Sequence, residues 1–308
     1  MSASSTPVAL PPPGIGRATA LVAFSACCFG TIAILVTVAT RAGARLVEIL
    51  AWRYLLAALL LAFLAGGPAA VRRTGRRSLG VMALAGGGQA VVAGLSLSAL
   101  RFIPTATMAF LFYTYPTWVT VIAALRGEEP LSGRRLAALV LSLAGIVAMV
   151  GLPGAGRSRD ATIGVLLALA GALAYALYIP MLGRFSQQLG SALVAMLTAA
   201  GAAVILVTTA LAGGGIIVRQ PSVVWMAVVV MALVCTVIAF VCFLRGLETL
   251  GPVRTAIVST VEPFWGALLA SVVLAQPLSV RTLIGGALVA AAVIILNLPS
   301  RETSPVMA

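Results

Sequence analysis

Pro116-x-Trp118, eleven residues, then Pro130-Leu131-Ser132-x-Arg134-x-Leu136 returns as Pro263-x-Trp265, eleven residues, then Pro277-Leu278-Ser279-x-Arg281-x-Leu283. The offset is 147 residues throughout, and no gap is needed. A segment that recurs in register over this length marks a duplicated structural unit. The duplication sits in a very apolar chain of 308 residues, 61% hydrophobic and 9% charged, with a mean hydropathy of +1.14. Soluble domains do not reach such values. Two copies of one helical unit in a membrane are the sequence signature of secondary transporters, whose substrate site forms where the copies meet.

A spanning helix needs roughly 20 mainly apolar residues to cross about 30 Å of hydrocarbon. Ten such segments are read at about 18–26, 46–66, 79–100, 104–125, 136–152, 163–183, 191–212, 223–246, 252–275 and 283–298, the first running on to about residue 40. Residues 1–16, with Pro11-Pro12-Pro13, read as a disordered tail, and 299–308 as a second one. The first apolar segment is too long for a signal-peptide core and is expected to be retained. The first five-helix repeat then covers 17–152, a polar, glycine-containing linker 153–162, and the second repeat 163–298. Five spans per copy is an odd number, so the second copy must enter the membrane from the opposite side. The expected fold is an all-α integral membrane protein, ten transmembrane helices as two inverted five-helix repeats.

All 20 basic residues are arginine, with no lysine or histidine, and the formal net charge is +13. Such a charge suggests nucleic acid, but the arginines lie in short loops between apolar segments, where they set orientation instead. With ten spans and the N-terminus inside, twelve arginines face the cytoplasm, seven lie outside, and Arg53 falls within the second span. The excess, led by the Arg72–Arg77 cluster, places both termini in the cytoplasm. A composition rich in Ala, Val, Leu, Gly and Arg points to a GC-rich bacterial genome, hence the cytoplasmic (inner) membrane.

Polar side chains inside the spans are few, and each is a candidate for the pathway. Glu262 is the one carboxylate near the centre of a span; it precedes Pro263, as its repeat partner Tyr115 precedes Pro116. Each proline removes a backbone donor and frees a carbonyl one turn earlier, so Pro116 and Pro263 predict kinks at mid-depth. Thr255, Ser259, Glu262 and Gly266 fall at helical spacing on the ninth span, and Tyr113, Thr117 and Thr120 on the fourth. A carboxylate at mid-membrane must be protonated, paired or wetted; Glu262 either handles substrate or protons or hydrogen-bonds a neighbouring helix. Arg53, in Trp52-Arg53-Tyr54, either snorkels to the interface or points inward as counter-ion to Glu262 or a substrate carboxylate. Gln89 and Ser96 could line a cavity or bond across helices. Tyr175 and Tyr178, just before Pro180, could stack on a substrate or simply pack. The four cysteines lie within spans without metal-ligand spacing and read as small packing residues.

Without histidine, neither His-based zinc sites nor Ser-His-Asp catalysis is available, and without lysine there is no Gly-x4-Gly-Lys phosphate loop. No cofactor or metal is expected, and an enzyme is not. The partners expected are a small-molecule substrate and the lipid bilayer, with no nucleic acid; the oligomeric state is not readable.

Gly251-Pro252 through Glu262-Pro263, Pro277-Leu278-Ser279 and Gly285-Gly286, with Thr105 through Pro116 and Gly127-Glu128-Glu129-Pro130-Leu131-Ser132 in the first half, resemble the EamA-type transporters of the drug/metabolite transporter (DMT) superfamily. An acidic residue usual before the Pro-Leu-Ser turn is matched by Glu129 but replaced by Gln276 in the second half. The resemblance implies a secondary transporter that exports small metabolites such as amino acids by alternating access, driven by the proton gradient or membrane potential. The alternatives are an importer of small metabolites, or a lipid flippase or flippase subunit with a basic headgroup site around Arg53 and Arg45 or Arg41.

Overall fold

A computed structural model describes residues 15–65, 75–127, 133–150 and 158–297. The Pro130-Leu131-Ser132 turn with Glu129, Arg72 and Arg73, residues 153–157 of the linker, and nearly all of both tails lie outside the described residues. Among the described residues all regular structure is helical. The first repeat contains α1 (Ile15–Arg41), α2 (Leu46–Leu64), α3 (Arg76–Ser98, closed by a 3-10 turn), α4 (Thr105–Phe112), α5 (Tyr115–Leu125) and α6 (Gly133–Val150). The second contains α7 (Arg159–Leu189), α8 (Ser191–Ala212), α9 (Ser222–Ala232) with a π-helical turn at Leu233–Ile238, α10 (Ala239–Ser259), α11 (Val261–Leu274) and α12 (Val280–Asn297).

Among the described residues, six stretches are long and apolar enough to cross a bilayer: Ile15–Arg41, Leu46–Leu64, Arg76–Arg101, Arg159–Leu182, Ala192–Ala212 and Ser222–Phe243. Leu136–Ala148, Val261–Leu274 and Val280–Ile295 are apolar but shorter. Large apolar side chains such as Phe63, Leu125, Val272 and Val280 stand exposed on the outside of the bundle. Water would penalise that surface, whereas hydrocarbon does not. The chain is a multi-pass membrane protein.

The principal helix pairs join one repeat to the other. α1 packs on α10 and α11, α2 on α8, α3 on both α7 and α8, and α6 on α12. Small residues allow these approaches. On α6, a Cβ at Gly145 would stand 2.7 Å from the Gly285 carbonyl of α12, and one at Gly86 of α3 would stand 2.5 Å from Cα of Gly201 on α8. At one end of the bundle a polar clasp ties the α1–α2 turn to the α8–α9 connection. Glu48, 1% exposed, accepts from the Arg45 guanidinium at 2.8 Å, the Ile217 amide at 3.1 Å and the Gln220 side chain at 3.3 Å. Arg45 also donates to the carbonyls of Gly213 and Gly215. A buried carboxylate is tolerable when it is this fully bonded.

Two expected boundaries move. The span read at 104–125 is divided into α4 and α5 by a break at Tyr113 and Thr114. In the second repeat, the turn expected between 246 and 252 is absent: the helix runs on through Pro252 to Ser259 and breaks at Thr260 instead. Proline is tolerated inside membrane helices where neighbouring helices, Ser/Thr side chains and local helix adjustments re-satisfy the freed backbone groups. Pro116 and Pro263 both fall in the first turn after a break, where the missing N–H costs no bond within the helix that follows.

Candidate functional site

The two breaks face each other at the centre of the bundle. Pro263 has no N–H to offer the Ser259 carbonyl one turn earlier, and the Tyr113 hydroxyl of the first break donates to that carbonyl instead. α1 closes over the second break. A Cβ at Gly30 would lie 2.6 Å from the Glu262 carbonyl oxygen, so backbone runs directly on backbone. Trp265 Nε1 donates to Thr31 Oγ1 at 3.1 Å, and Thr31 in turn donates to the Cys27 carbonyl at 2.7 Å.

Between the breaks lies a cavity of about 290 Å³. The chain has five tyrosines, and all five line it: Tyr54, Tyr113, Tyr115, Tyr175 and Tyr178. Tyr115 and Tyr175 meet edge-on with ring centroids 4.8 Å apart, Tyr113 and Tyr115 likewise at 5.6 Å, and Phe112 lies 5.3 Å from Tyr175. Edge-to-face packing fixes these rings against one another. Glu262 reaches the same cavity, where its carboxyl group makes no hydrogen bond or ion pair among the described residues. The site is an aromatic box with one carboxylate on its wall.

Arg53 lines the cavity as well, 6% exposed, so it points inward and does not snorkel. Its Nε donates to Thr236 Oγ1 at 3.0 Å, and its Cζ lies 4.9 Å from the Tyr54 ring centre. No ion pair links it to Glu262. Gln89 does both things the sequence allowed: it lines the cavity and donates across helices to the Tyr54 hydroxyl at 2.8 Å. Ser96 is a lining residue whose hydroxyl returns to its own helix at Val92.

Thr255, Ser259 and Thr117 are not in the lining. Thr255 and Thr117 are buried, and their hydroxyls have no hydrogen-bond partner among the described residues. Ser259 contributes its carbonyl, to Tyr113. The Thr120 side chain lies outside the described residues. The expected stripe through Thr255, Ser259 and Glu262 assumed one continuous helix; the break at Thr260 separates Glu262 from the two residues before it. Thr236, Cys235 and Phe240 line the cavity without having been anticipated. They lie in or beside the π-helical turn, inside an apolar run that carries no local signal. Arg45, engaged by Glu48, Gly213 and Gly215, is not at the cavity.

Comparison with known proteins bears on both repeats. The family model described as the EamA-like transporter family matches twice, over residues 17–151 and 162–298. No curated protein sequence matches the chain. Among solved structures, one crystal structure superposes with a TM-score of 0.59 at 20% identity, covering 91% of this chain and 96% of that one. At that identity the likeness concerns the fold alone.

Proposed function

Because the chain belongs to the EamA-like transporter family of the DMT superfamily, we propose that it is a secondary transporter exporting small metabolites, amino acids or related compounds, by alternating access. Ten spans form two inverted repeats, with both termini in the cytoplasm of a bacterial cell and the chain in its inner membrane. The reading is carried by one observation: the cavity between the repeats collects every tyrosine, the mid-span carboxylate Glu262 and the intraspan arginine Arg53. Polar and ionisable groups at that depth cost several kcal/mol to bury and persist where they act on something passing through. A volume of about 290 Å³ suits a small metabolite.

In this mechanism Glu262 takes the cationic group of the substrate or a coupling proton. Tyr115, Tyr113, Tyr175 and Tyr178 form the walls, and Gln89 fixes the Tyr54 hydroxyl. The breaks before Pro116 and Pro263 are the joints about which the repeats exchange access. Thr117, Thr255 and Ser259 lie on the same two broken helices, and they enter the pathway if access shifts toward the other half. Transport draws on the proton gradient or membrane potential.

The test is the extracellular metabolite profile of cells overproducing the wild type, beside cells overproducing Glu262→Gln. A compound enriched outside only with the wild type is the expected result. Equal enrichment with both proteins returns Glu262 to a structural role. Depletion from the medium with the wild type would make the chain an importer.

A further inference from the structure

Arg53 lies seven residues into α2, about 10 Å from the start of the helix. At that depth a guanidinium needs a counter-charge or several acceptors. It has one: the Thr236 hydroxyl, bonded to Nε. Its two terminal nitrogens form the forked edge that fits a carboxylate bidentately, and they have no protein acceptor among the described residues. The contrast with Arg45 is direct, since that guanidinium is engaged by Glu48 and two glycine carbonyls.

Thr236 is held as firmly as the arginine is open. Its hydroxyl donates to the Met231 carbonyl at 2.8 Å, five residues back, across the widened turn at Leu233–Ile238. A threonine hydroxyl has one proton to give, and that bond uses it. The oxygen is therefore left as an acceptor, facing α2, where Arg53 Nε meets it. Turns of this π-helical kind are uncommon in α-helices and recur at functional sites.

We propose that Arg53, positioned by Thr236, is the anion anchor of the central cavity, taking the carboxylate of a small metabolite while its other end lies among the tyrosines. The inference rests on the transporter reading for what enters the cavity, but the binding it describes is measured without transport. Thr236 acts through Arg53 and is a positioning residue. Its removal leaves the charge in place and frees its direction.

The experiment measures thermal stabilisation of the purified full-length protein in detergent by the proteinogenic L-amino acids, each beside its own carboxamide. The pair differs only in the anionic group. In the wild type at least one acid stabilises and its amide does not. Thr236→Val lowers affinity for that acid about tenfold, as expected for loss of a bond to a charged group, and shrinks the acid-over-amide preference. Thr236→Ser, which keeps the hydroxyl, retains it. Equal stabilisation by acid and amide, no stabilisation by any acid, or an unchanged preference in a folded Thr236→Val would each overturn the proposal. Export that persists beside equal acid and amide binding would remove the anchor and keep the transporter. A clear acid preference in a chain that exports nothing would do the reverse.

Discussion

The two breaks are built on the same sequence device and have become different objects. In the first repeat, α7 meets the break through side chains: the Tyr175 ring stands edge-on to Tyr115, and the Trp118 indole N–H is buried with no partner among the described residues. In the second, α1 meets the break through backbone, Gly30 against the Glu262 carbonyl, and the Trp265 indole N–H is bonded to Thr31. One break presents aromatic walls and the other presents the carboxylate. A duplicated proline keeps the geometry, and the residue just before it, Tyr115 or Glu262, sets the chemistry.

That difference can be broken from either side. The largest effect is expected at Gly30→Ala. The new methyl meets a backbone oxygen that cannot swing away, so stability falls by about 2–3 kcal/mol, read from denaturant unfolding in micelles. Next is Tyr113→Phe, which orphans the Ser259 carbonyl and costs about 1–2 kcal/mol. In a Pro263→Ala background the restored backbone N–H can take that carbonyl, and the cost of Tyr113→Phe should nearly vanish; a full cost there would show that the hydroxyl is not answering the proline. A smaller split is expected between the tryptophans. Trp265→Phe should cost about 0.6 kcal/mol beyond the loss of ring area, shared with Thr31→Val in a double-mutant cycle, while Trp118→Phe, with no bond to lose, carries no such term. Smallest of all is Tyr175→Phe, which keeps the ring and should change stability by less than about 0.5 kcal/mol, visible only in substrate binding.

Much of this was legible in the sequence because membrane helices carry strong, redundant signals. Apolar length marked the six long spans, the repeated Pro-x-Trp marked the two breaks, and the pairing of Tyr115 with Glu262 put both at one place. What failed was helical spacing carried across a break. Thr255 and Ser259 share a periodic pattern with Glu262 only if the helix is continuous, and it is interrupted at Thr260. Gly251-Pro252 reads as a turn by water-based rules, yet α10 continues through it. Thr236 was invisible for another reason. A π-helical turn adds one residue to a turn without changing composition, and Met231 through Ile238 is otherwise an unremarked apolar run.

The bond from Tyr113 to the Ser259 carbonyl also bears on ancestry and assembly. Its mirror image does not exist in the same form, because the residue 147 positions after Tyr113 is Thr260, whose hydroxyl, carried on Cβ, has a fraction of the reach. A single ancestral repeat pairing with its own copy would have needed one side chain to serve both places. With Tyr113 in one half and Thr260 in the other, the two halves are not interchangeable at this contact, and each supplies a side of it that the other lacks. Cut within the linker and produced as two polypeptides, the halves are expected to co-purify, because the principal helix pairs and this bond all run from one to the other.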